Sequence, residues 1–109
     1  MRPEDPVQRQ LEAYNARDLE RFIAQYSEDV EVFRPPATEP VLRGRAAMAA
    51  HYASQRFQLS GLHATVVNRM VVGQRVVDHE HIVGIAPEPV QAIAGYEVEG
   101  ALIRRVWFF

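Results

Sequence analysis

The stretch LHATVVNRMVVGQRVVDHEHIVGI, from Leu62 to Ile85, decides the fold. β-Branched residues crowd both of its halves, which favours strands. A glycine at the first of two central turn positions is typical of a type II′ hairpin. We therefore predict two antiparallel strands that meet at Gly73-Gln74. In that register Arg69 lies directly opposite Asp78, a cross-strand pair of opposite charges that supports the prediction.

Because side chains alternate between the two faces of a strand, this register divides the hairpin into two faces. The first face is mainly apolar but carries two imidazoles and an amide; its members are Leu62, Ala64, Val66, Asn68, Met70, Val72, Val77, His79, His81, Val83 and Ile85. An apolar wall with a few polar groups is typical of small-molecule pockets, so we expect this face to line one. Asp78 and Glu80 would then lie on the reverse face, and would reach the pocket only if the register shifts, for example at a bulge.

Length and composition exclude several classes of protein. The 109 residues suffice for one domain with a real core, spanning 1–109. No apolar run is long enough to cross a membrane and the first ten residues lack the apolar segment of a signal peptide, so we expect a soluble, cytoplasmic protein. The absence of cysteine excludes disulfides and thiolate chemistry, and the absence of lysine excludes Schiff bases. A net charge of −2 with interspersed signs argues against nucleic-acid binding.

Two amphipathic helices are predicted at the start of the chain. Asp5 is a suitable N-cap with Pro6 at the first helical position, and Asp18 can cap the second helix. The apolar residues of both helices recur at helical spacing: Val7, Leu11 and Tyr14, then Leu19, Phe22, Ile23 and Tyr26. Such helices need an apolar surface to cover.

The remaining segments are predicted as short strands, a third helix and a closing hairpin. We expect a strand over residues 30–33 that ends before Pro35-Pro36, and a third helix that begins after Gly44; the loop between them has room for a short strand at Val41-Leu42. For the hairpin over residues 90–109 we favour a three-residue loop. That loop places one set of side chains on a common face: Ala92, Ala94, Tyr96, Val98, Leu102, Arg104, Val106 and Phe108. A slip of one residue would turn every side chain over.

Helices gathered first and strands last indicate an α+β fold, with a curved antiparallel sheet packed against three helices of the N-terminal half. Three stretches, YNARDLERFIAQYSEDVEVF, GRAAMAAHYASQRF and AIAGYEVEGALIRRVWFF, resemble the nuclear transport factor 2-like superfamily, particularly its SnoaL-like and ketosteroid-isomerase-like members. The resemblance implies a cone-shaped (cystatin-like) α+β barrel with an apolar pocket between sheet and helices. It also implies a homodimer through the outer sheet face.

The resemblance does not carry over a complete isomerase site. Ketosteroid isomerases combine an Asp base with an oxyanion hole made of a Tyr and a protonated Asp. The base position falls at Arg34 or Pro35, the tyrosine position near Gln10 and the protonated carboxyl near Ala92. Only the tyrosine of the third helix is kept, as Tyr52. Steroid isomerisation by those groups is therefore disfavoured.

The candidate catalytic residues are His79, His81 and Tyr52, since imidazole titrates near neutrality and a phenol can donate to an oxyanion. Residues expected to contact a ligand are Tyr14, Arg34, Met48, Asn68, Met70, Val77 and Tyr96. Arg34 would recognise an anionic or carbonyl group; the alternative is a surface arginine paired with Glu39 or Glu31. The histidines could instead be core or rim residues, or begin a metal site, although no third ligand is evident and we expect neither a metal nor a cofactor.

Two functions remain open from the sequence. The first is a homodimeric protein that binds a small hydrophobic molecule and carries out isomerisation, cyclisation or hydration of an apolar carbonyl compound. The second is a non-catalytic dimerisation or partner-binding module. A broad apolar patch on the reverse face favours a dimer in either case; its expected members are Val67, Val71, Val76, Ile82, Ile93, Ile103, Trp107 and Phe109.

Overall fold

The computed structural model describes residues 2–109 and has three helices in the N-terminal half followed by most of a six-stranded sheet. The elements are α1 Glu4–Ala16, α2 Leu19–Ile23, β1 Tyr26–Phe33, β2 Leu42–Arg43, α3 Arg45–Gln55, β3 His63–Val72, β4 Arg75–Val83, β5 Val90–Glu99 and β6 Leu102–Phe108. This arrangement confirms the predicted α+β class.

The sheet has the strand order β2-β1-β6-β5-β4-β3. All neighbouring strands are antiparallel except β1 and β6, which run parallel. The parallel pair joins the strand that follows the first two helices to the last strand of the chain. We call the face of the sheet that the helices cover the inner face, and the opposite one the outer face.

Local capping explains where the helices begin. The side chain of Asp18 accepts a hydrogen bond of 3.1 Å from the backbone N–H of Arg21, so the predicted cap of α2 is confirmed. The predicted cap of α1 is wrong: that helix begins at Glu4, and Asp5 instead accepts from the backbone N–H of Arg2. Gly44 precedes α3 with a φ of 86°, a conformation that favours glycine.

The central hairpin has the predicted turn. Gly73 has a φ of 59° and Gln74 has no positive φ, as a type II′ turn requires. The pairs from Val72 with Arg75 to Asn68 with His79 match the prediction. Beyond them a bulge at residue 67 shifts the register, so that Val66 pairs with Glu80 rather than with His81.

The bulge overturns the predicted faces of the hairpin. Ala64 and Val66 lie on the inner face, whereas Asn68 and Met70 lie on the outer face, because the extra residue in β3 reverses the alternation between them. The apolar face expected from strict alternation therefore combined residues from both sides of the sheet. On β4, which has no bulge, the buried inner residues include Val76, Asp78 and Glu80.

The closing hairpin has a two-residue loop, not the three-residue loop that we expected. Glu99 pairs with Leu102, and an irregularity after Glu97 then pairs Tyr96 with Val106, so that these two side chains share a face as expected. Ile103 is consequently buried in the core rather than placed on the reverse face. Val76, on the inner face of β4, is buried as well. These two residues do not belong to the exposed apolar patch that the sequence predicted.

The core lies between the inner face and the helices. Its largest fully buried side chains include Tyr26, Phe22, Met48 and Leu62. Phe22 of α2 contacts the rings of Tyr26 and Tyr52 at centroid distances of 5.1 and 4.7 Å. None of the helices within residues 2–109 is both long and apolar enough to span a membrane.

Candidate active site

A cavity of about 200 Å³ lies between the inner face of the sheet and the helices. Its walls combine apolar and polar side chains. The polar lining residues are Gln10, Tyr14, Tyr26, Arg34, Tyr52, Arg56, Glu80, Gln91 and Tyr96. They come from α1, β1, α3, β4, β5 and the segments that follow β1 and α3. A cavity with apolar walls and a few convergent polar groups is the arrangement expected of a ligand site.

Glu80 is the acidic residue of this lining. It is only 6 % exposed, and its carboxyl makes no hydrogen bond with another residue of 2–109. Burial, together with the negative charge of Asp78, raises the pKa of Glu80 from 4.5 to about 7, and Arg69 opposes this increase. Near neutral pH the group can therefore both accept and donate a proton.

Asp78, two residues earlier on the same face, has a different environment. Its side chain is fully buried, and Arg69 binds both carboxylate oxygens, with Nε–Oδ1 and Nη2–Oδ2 distances of 2.7 and 3.0 Å. Arg69 also donates to Gln8 Oε1 at 3.0 Å. The predicted cross-strand pair is present, although it faces inward rather than outward. A charge-assisted bidentate pair of this kind neutralises the aspartate and fixes the hairpin register.

Four tyrosines line the same cavity as Glu80, and the hydroxyls of two of them are linked through an amide. Tyr26 donates to Gln10 Oε1 at 3.0 Å, and Gln10 Nε2 donates to the Tyr96 hydroxyl at 3.3 Å. Because the Tyr96 oxygen accepts this bond, its own proton remains available to a ligand. Burial raises the pKa of Tyr14 to about 12 and the pKa of Tyr52 further above its usual value. These phenols are therefore hydrogen-bond donors at neutral pH and not bases.

Two arginines belong to the same lining. The guanidinium carbon of Arg34 lies 5.2 Å from the centre of the Phe108 ring, and Arg56 donates to the backbone carbonyl of Gln55 at 3.0 Å. The alternative in which Arg34 pairs with Glu39 or Glu31 is wrong. Those carboxylates are bound by Arg43 and, in the case of Glu31, also by Arg105.

The structure separates the predicted site residues into three groups. Tyr14, Arg34, Tyr52 and Tyr96 do line the cavity, and their role toward a ligand stays a prediction. Met48 is completely buried in the core. The others lie on the outer face and do not line the cavity: Asn68, Met70, Val77, His79 and His81.

The expectation that both imidazoles look inward is therefore wrong. His79 Nε2 lies 2.6 Å from Gln91 Oε1 on the outer face, and His81 pairs there with Thr65 and Gln91. The physical reason is the strict alternation along β4, which turns the histidines outward once Asp78 and Glu80 turn inward. Among residues 2–109 no three His, Asp or Glu side chains are grouped as a metal site would require.

Sequence reasoning missed Gln10, Tyr26, Arg56 and Glu80 as cavity residues. Gln10 follows Val7 by three positions and precedes Tyr14 by four, so helical periodicity alone could have placed it on the inward side of α1. Tyr26 was assigned to a helix although it begins β1. No local pattern distinguishes Arg56, which follows α3, from a surface arginine.

Comparison with known proteins identifies relatives of this fold. A family model described as a SnoaL-like domain matches residues 7–106. No curated protein matches the chain. An uncharacterised cystatin-fold protein from Novosphingobium aromaticivorans is 25% identical, with a TM-score of 0.77 and coverage of 100% of this chain and 98% of that one.

Two further solved structures share the fold at lower identity. The Δ5-3-ketosteroid isomerase from a Mycobacterium species has a TM-score of 0.83 at 19% identity, with 100% of this chain and 93% of that chain covered. A putative polyketide cyclase from Sinorhizobium meliloti has a TM-score of 0.80 at 18% identity, with 96% and 94% covered. At these identities the similarity establishes the fold alone.

Proposed function

Because this chain belongs to the SnoaL-like domain family, we propose that it binds a small apolar carbonyl compound and moves a proton on it, with Glu80 as the general acid and base. The observation that carries this proposal is the unpaired, buried carboxyl of Glu80 in a cavity with apolar walls. Perturbed carboxyls in such places are typical of acid–base sites. The proposal assigns to Glu80 the role that the sequence suggested for His79 and His81.

The proposed reaction uses two groups of the cavity. The Glu80 carboxylate removes a proton from the carbon next to the ligand carbonyl, and the electron pair of that C–H bond moves onto the carbonyl oxygen as an enolate. Tyr96, whose oxygen already accepts from Gln10, donates its proton in a hydrogen bond to that oxygen. Protonated Glu80 then returns the proton to another carbon, which isomerises the compound. Tyr14 and Tyr52 are alternative donors, since burial keeps them protonated.

The raised pKa of Glu80 suits this role. A base with a pKa of about 7 is ionised in useful amounts at neutral pH and, once protonated, is still a good acid. An ordinary glutamate would be a much weaker base. The alternative of a non-catalytic module is less well supported, because the space between sheet and helices is not filled by side chains.

Deuterium exchange tests the proposed chemistry. Phenylacetone dissolved in D2O with the protein should lose its α-protons faster than in buffer, as followed by proton NMR, and the rate should rise as the pH passes through about 7. The Glu80→Gln variant should lower the protein-dependent rate by about 10²–10⁴-fold.

Matched variants on the outer face control this measurement. Glu97→Gln makes the same chemical change in a glutamate that is ion-paired outside the cavity. Together with His79→Ala and His81→Ala, it should leave the exchange rate within twofold. A rate that survives in Glu80→Gln, or that disappears in His79→Ala, would contradict the assignment of the acid–base group.

We also propose that a second copy of this chain covers the outer face. Met70, Val72 and Ile93 are 59, 77 and 45% exposed there and are large apolar side chains. Monomeric proteins seldom leave such side chains grouped in water. Sedimentation velocity should give a dimer for the wild type and a shift toward monomer for Ile93→Asp, while Ala53→Asp on exposed helix surface should remain dimeric. A monomeric wild type would overturn this part of the proposal.

A further inference from the structure

Arg34 and Arg56 lie toward the outside of the cavity and Glu80 lies toward its interior. Arg34 directly follows β1 and is exposed, Arg56 follows α3 and is half-buried, and Glu80 is buried on β4. All three line the same cavity. No guanidinium nitrogen of either arginine comes within 4.0 Å of a Glu80 oxygen. The cavity therefore has a cationic outer part and a carboxyl in its interior, at separate positions.

Neither of these arginines has an acidic partner within residues 2–109, although other arginines of the chain do. Arg69 is held by Asp78, and Arg105 is held by Glu31 and Glu97. Arg34 instead stacks on the Phe108 ring, and Arg56 donates to the neighbouring backbone carbonyl of Gln55 and toward the Tyr14 hydroxyl. The guanidinium groups thus keep most of their donors for another acceptor.

The charge of the cavity lining is positive on balance. Arg34 and Arg56 contribute two positive charges, and Glu80 contributes at most one negative charge because its pKa is about 7. The pKa of the nearby His51 is lowered by burial and by the positive charges of Arg56 and Arg34, which indicates that both arginines act on one region. Cationic clefts attract anions.

From these observations we propose that the ligand is a small apolar carboxylic acid, whose carboxylate is held by Arg34 and Arg56 while its apolar part, which carries the reacting carbonyl, reaches inward to Glu80. Arginine binds carboxylates through two parallel N–H donors, which makes a carboxylate the suitable anion. Leu11, Phe22 and Ile82 give the interior its apolar wall. The inference rests on the proposed function, and it adds the chemical class of the compound.

Size limits the ligand further. Drug-sized ligands usually occupy cavities of about 300–1,000 Å³, whereas this one measures about 200 Å³. A single aromatic ring or a short chain with a carboxylate at one end is therefore a better match than a polycyclic compound. Placing the ligand carboxylate at the arginines also keeps it away from the Glu80 carboxylate, whose negative charge would otherwise repel it.

A matched pair of probes tests the inference. Cinnamate and its neutral analogue cinnamamide have nearly the same shape and differ in charge at one end. Isothermal titration calorimetry should show that the wild type binds cinnamate about tenfold or more tightly than cinnamamide, and that this preference weakens as salt is added.

Variants then locate the effect. Arg34→Gln and Arg56→Gln should each reduce the affinity for cinnamate by about tenfold and leave that for cinnamamide unchanged, and the double variant should lose the preference. Arg9→Gln removes an exposed arginine of α1 outside the cavity and should change neither affinity. Unchanged binding of the amide shows that each variant is folded.

The inference is overturned if the wild type binds both probes equally or if the double variant still prefers cinnamate. Glu80→Gln separates it from the acid–base proposal. That variant should bind cinnamate as tightly as the wild type, or more tightly, while it loses the deuterium exchange. If deuterium exchange depends on Glu80 but the protein shows no preference for cinnamate, the carboxylic-acid inference is overturned and the acid–base proposal stands. Binding of neither probe would overturn the inference and weaken the case for a ligand cavity.

Discussion

Asp78 and Glu80 stand two residues apart on the inner side of β4, and both are almost free of water, yet their surroundings differ completely. Arg69 binds both oxygens of Asp78, whereas no other residue of 2–109 hydrogen bonds to the Glu80 carboxyl. Removing a carboxylate from water is costly unless a partner compensates it. The first carboxylate therefore serves the structure, and the second is left able to change its protonation state.

Replacing Arg69 should have the largest effect and would test the first half of this comparison. Arg69→Met leaves the Asp78 side chain, which is 0% exposed, without its counter-charge. Breaking a buried pair in this way costs about 3–5 kcal/mol of the free energy of unfolding. Urea denaturation followed by circular dichroism measures the loss.

Two further variants sharpen that measurement. The double variant Arg69→Met/Asp78→Leu removes both charges and should recover most of the lost stability. Arg104→Met breaks an ion pair with Glu99 in which both side chains are at least 41% exposed, and should cost no more than about 1 kcal/mol. If Arg69→Met is as mild as Arg104→Met, then Asp78 is not a dry, charged group and the comparison with Glu80 fails.

Local chemistry made much of the fold predictable. The cap at Asp18, the turn at Gly73 and the register from Val72 to Asn68 each depend on residues close in sequence, and each is present. The α+β class follows from the order of the elements. The predicted length of the β5–β6 loop was wrong, but an irregularity after Glu97 still places Tyr96 and Val106 on one face, as the three-residue loop would.

The site was harder to predict because the alternation of a strand defines two faces without saying which one is covered. We placed the charged residues outside, as is usual for Asp and Glu. Asp78 can nevertheless be buried, because its cross-strand partner Arg69 compensates its charge. Once Asp78 turns inward, Glu80 lies on the same face because side chains alternate along the strand. Strict alternation without the bulge at residue 67 groups inner residues such as Ala64 with outer ones such as Met70 on one apparent face. That grouping made the apolar face of the hairpin look like the covered one.

Spacing could place Gln10 on the inward side of α1, but it could not predict which residues share the cavity. Gln10, Arg34, Arg56 and Glu80 belong to four separate parts of the chain, and only the tertiary fold brings them to one cavity. The hydrogen bond from Gln10 to Tyr96 spans 86 positions of sequence. Contacts of that range leave no local pattern, so tyrosines were predicted as ligand contacts only through the family resemblance and the chemistry of a phenol.

Replacing Glu80 should give a smaller effect, of opposite sign to that of Arg69, and would test the second half of the comparison. Its pKa is raised from 4.5 to about 7 in the folded protein. Between these pH values the folded state keeps a proton that the unfolded chain has lost, so the free energy of unfolding should fall as the pH rises, by up to roughly 3 kcal/mol.

The Glu80→Gln variant cannot titrate at this position and should lack this pH-dependent loss of stability. Urea denaturation of both proteins from about pH 4 to 8 measures the difference, which should favour the variant above about pH 7. A difference that does not change with pH would mean that Glu80 is solvated or paired in solution, and would remove the distinction between the two carboxyls.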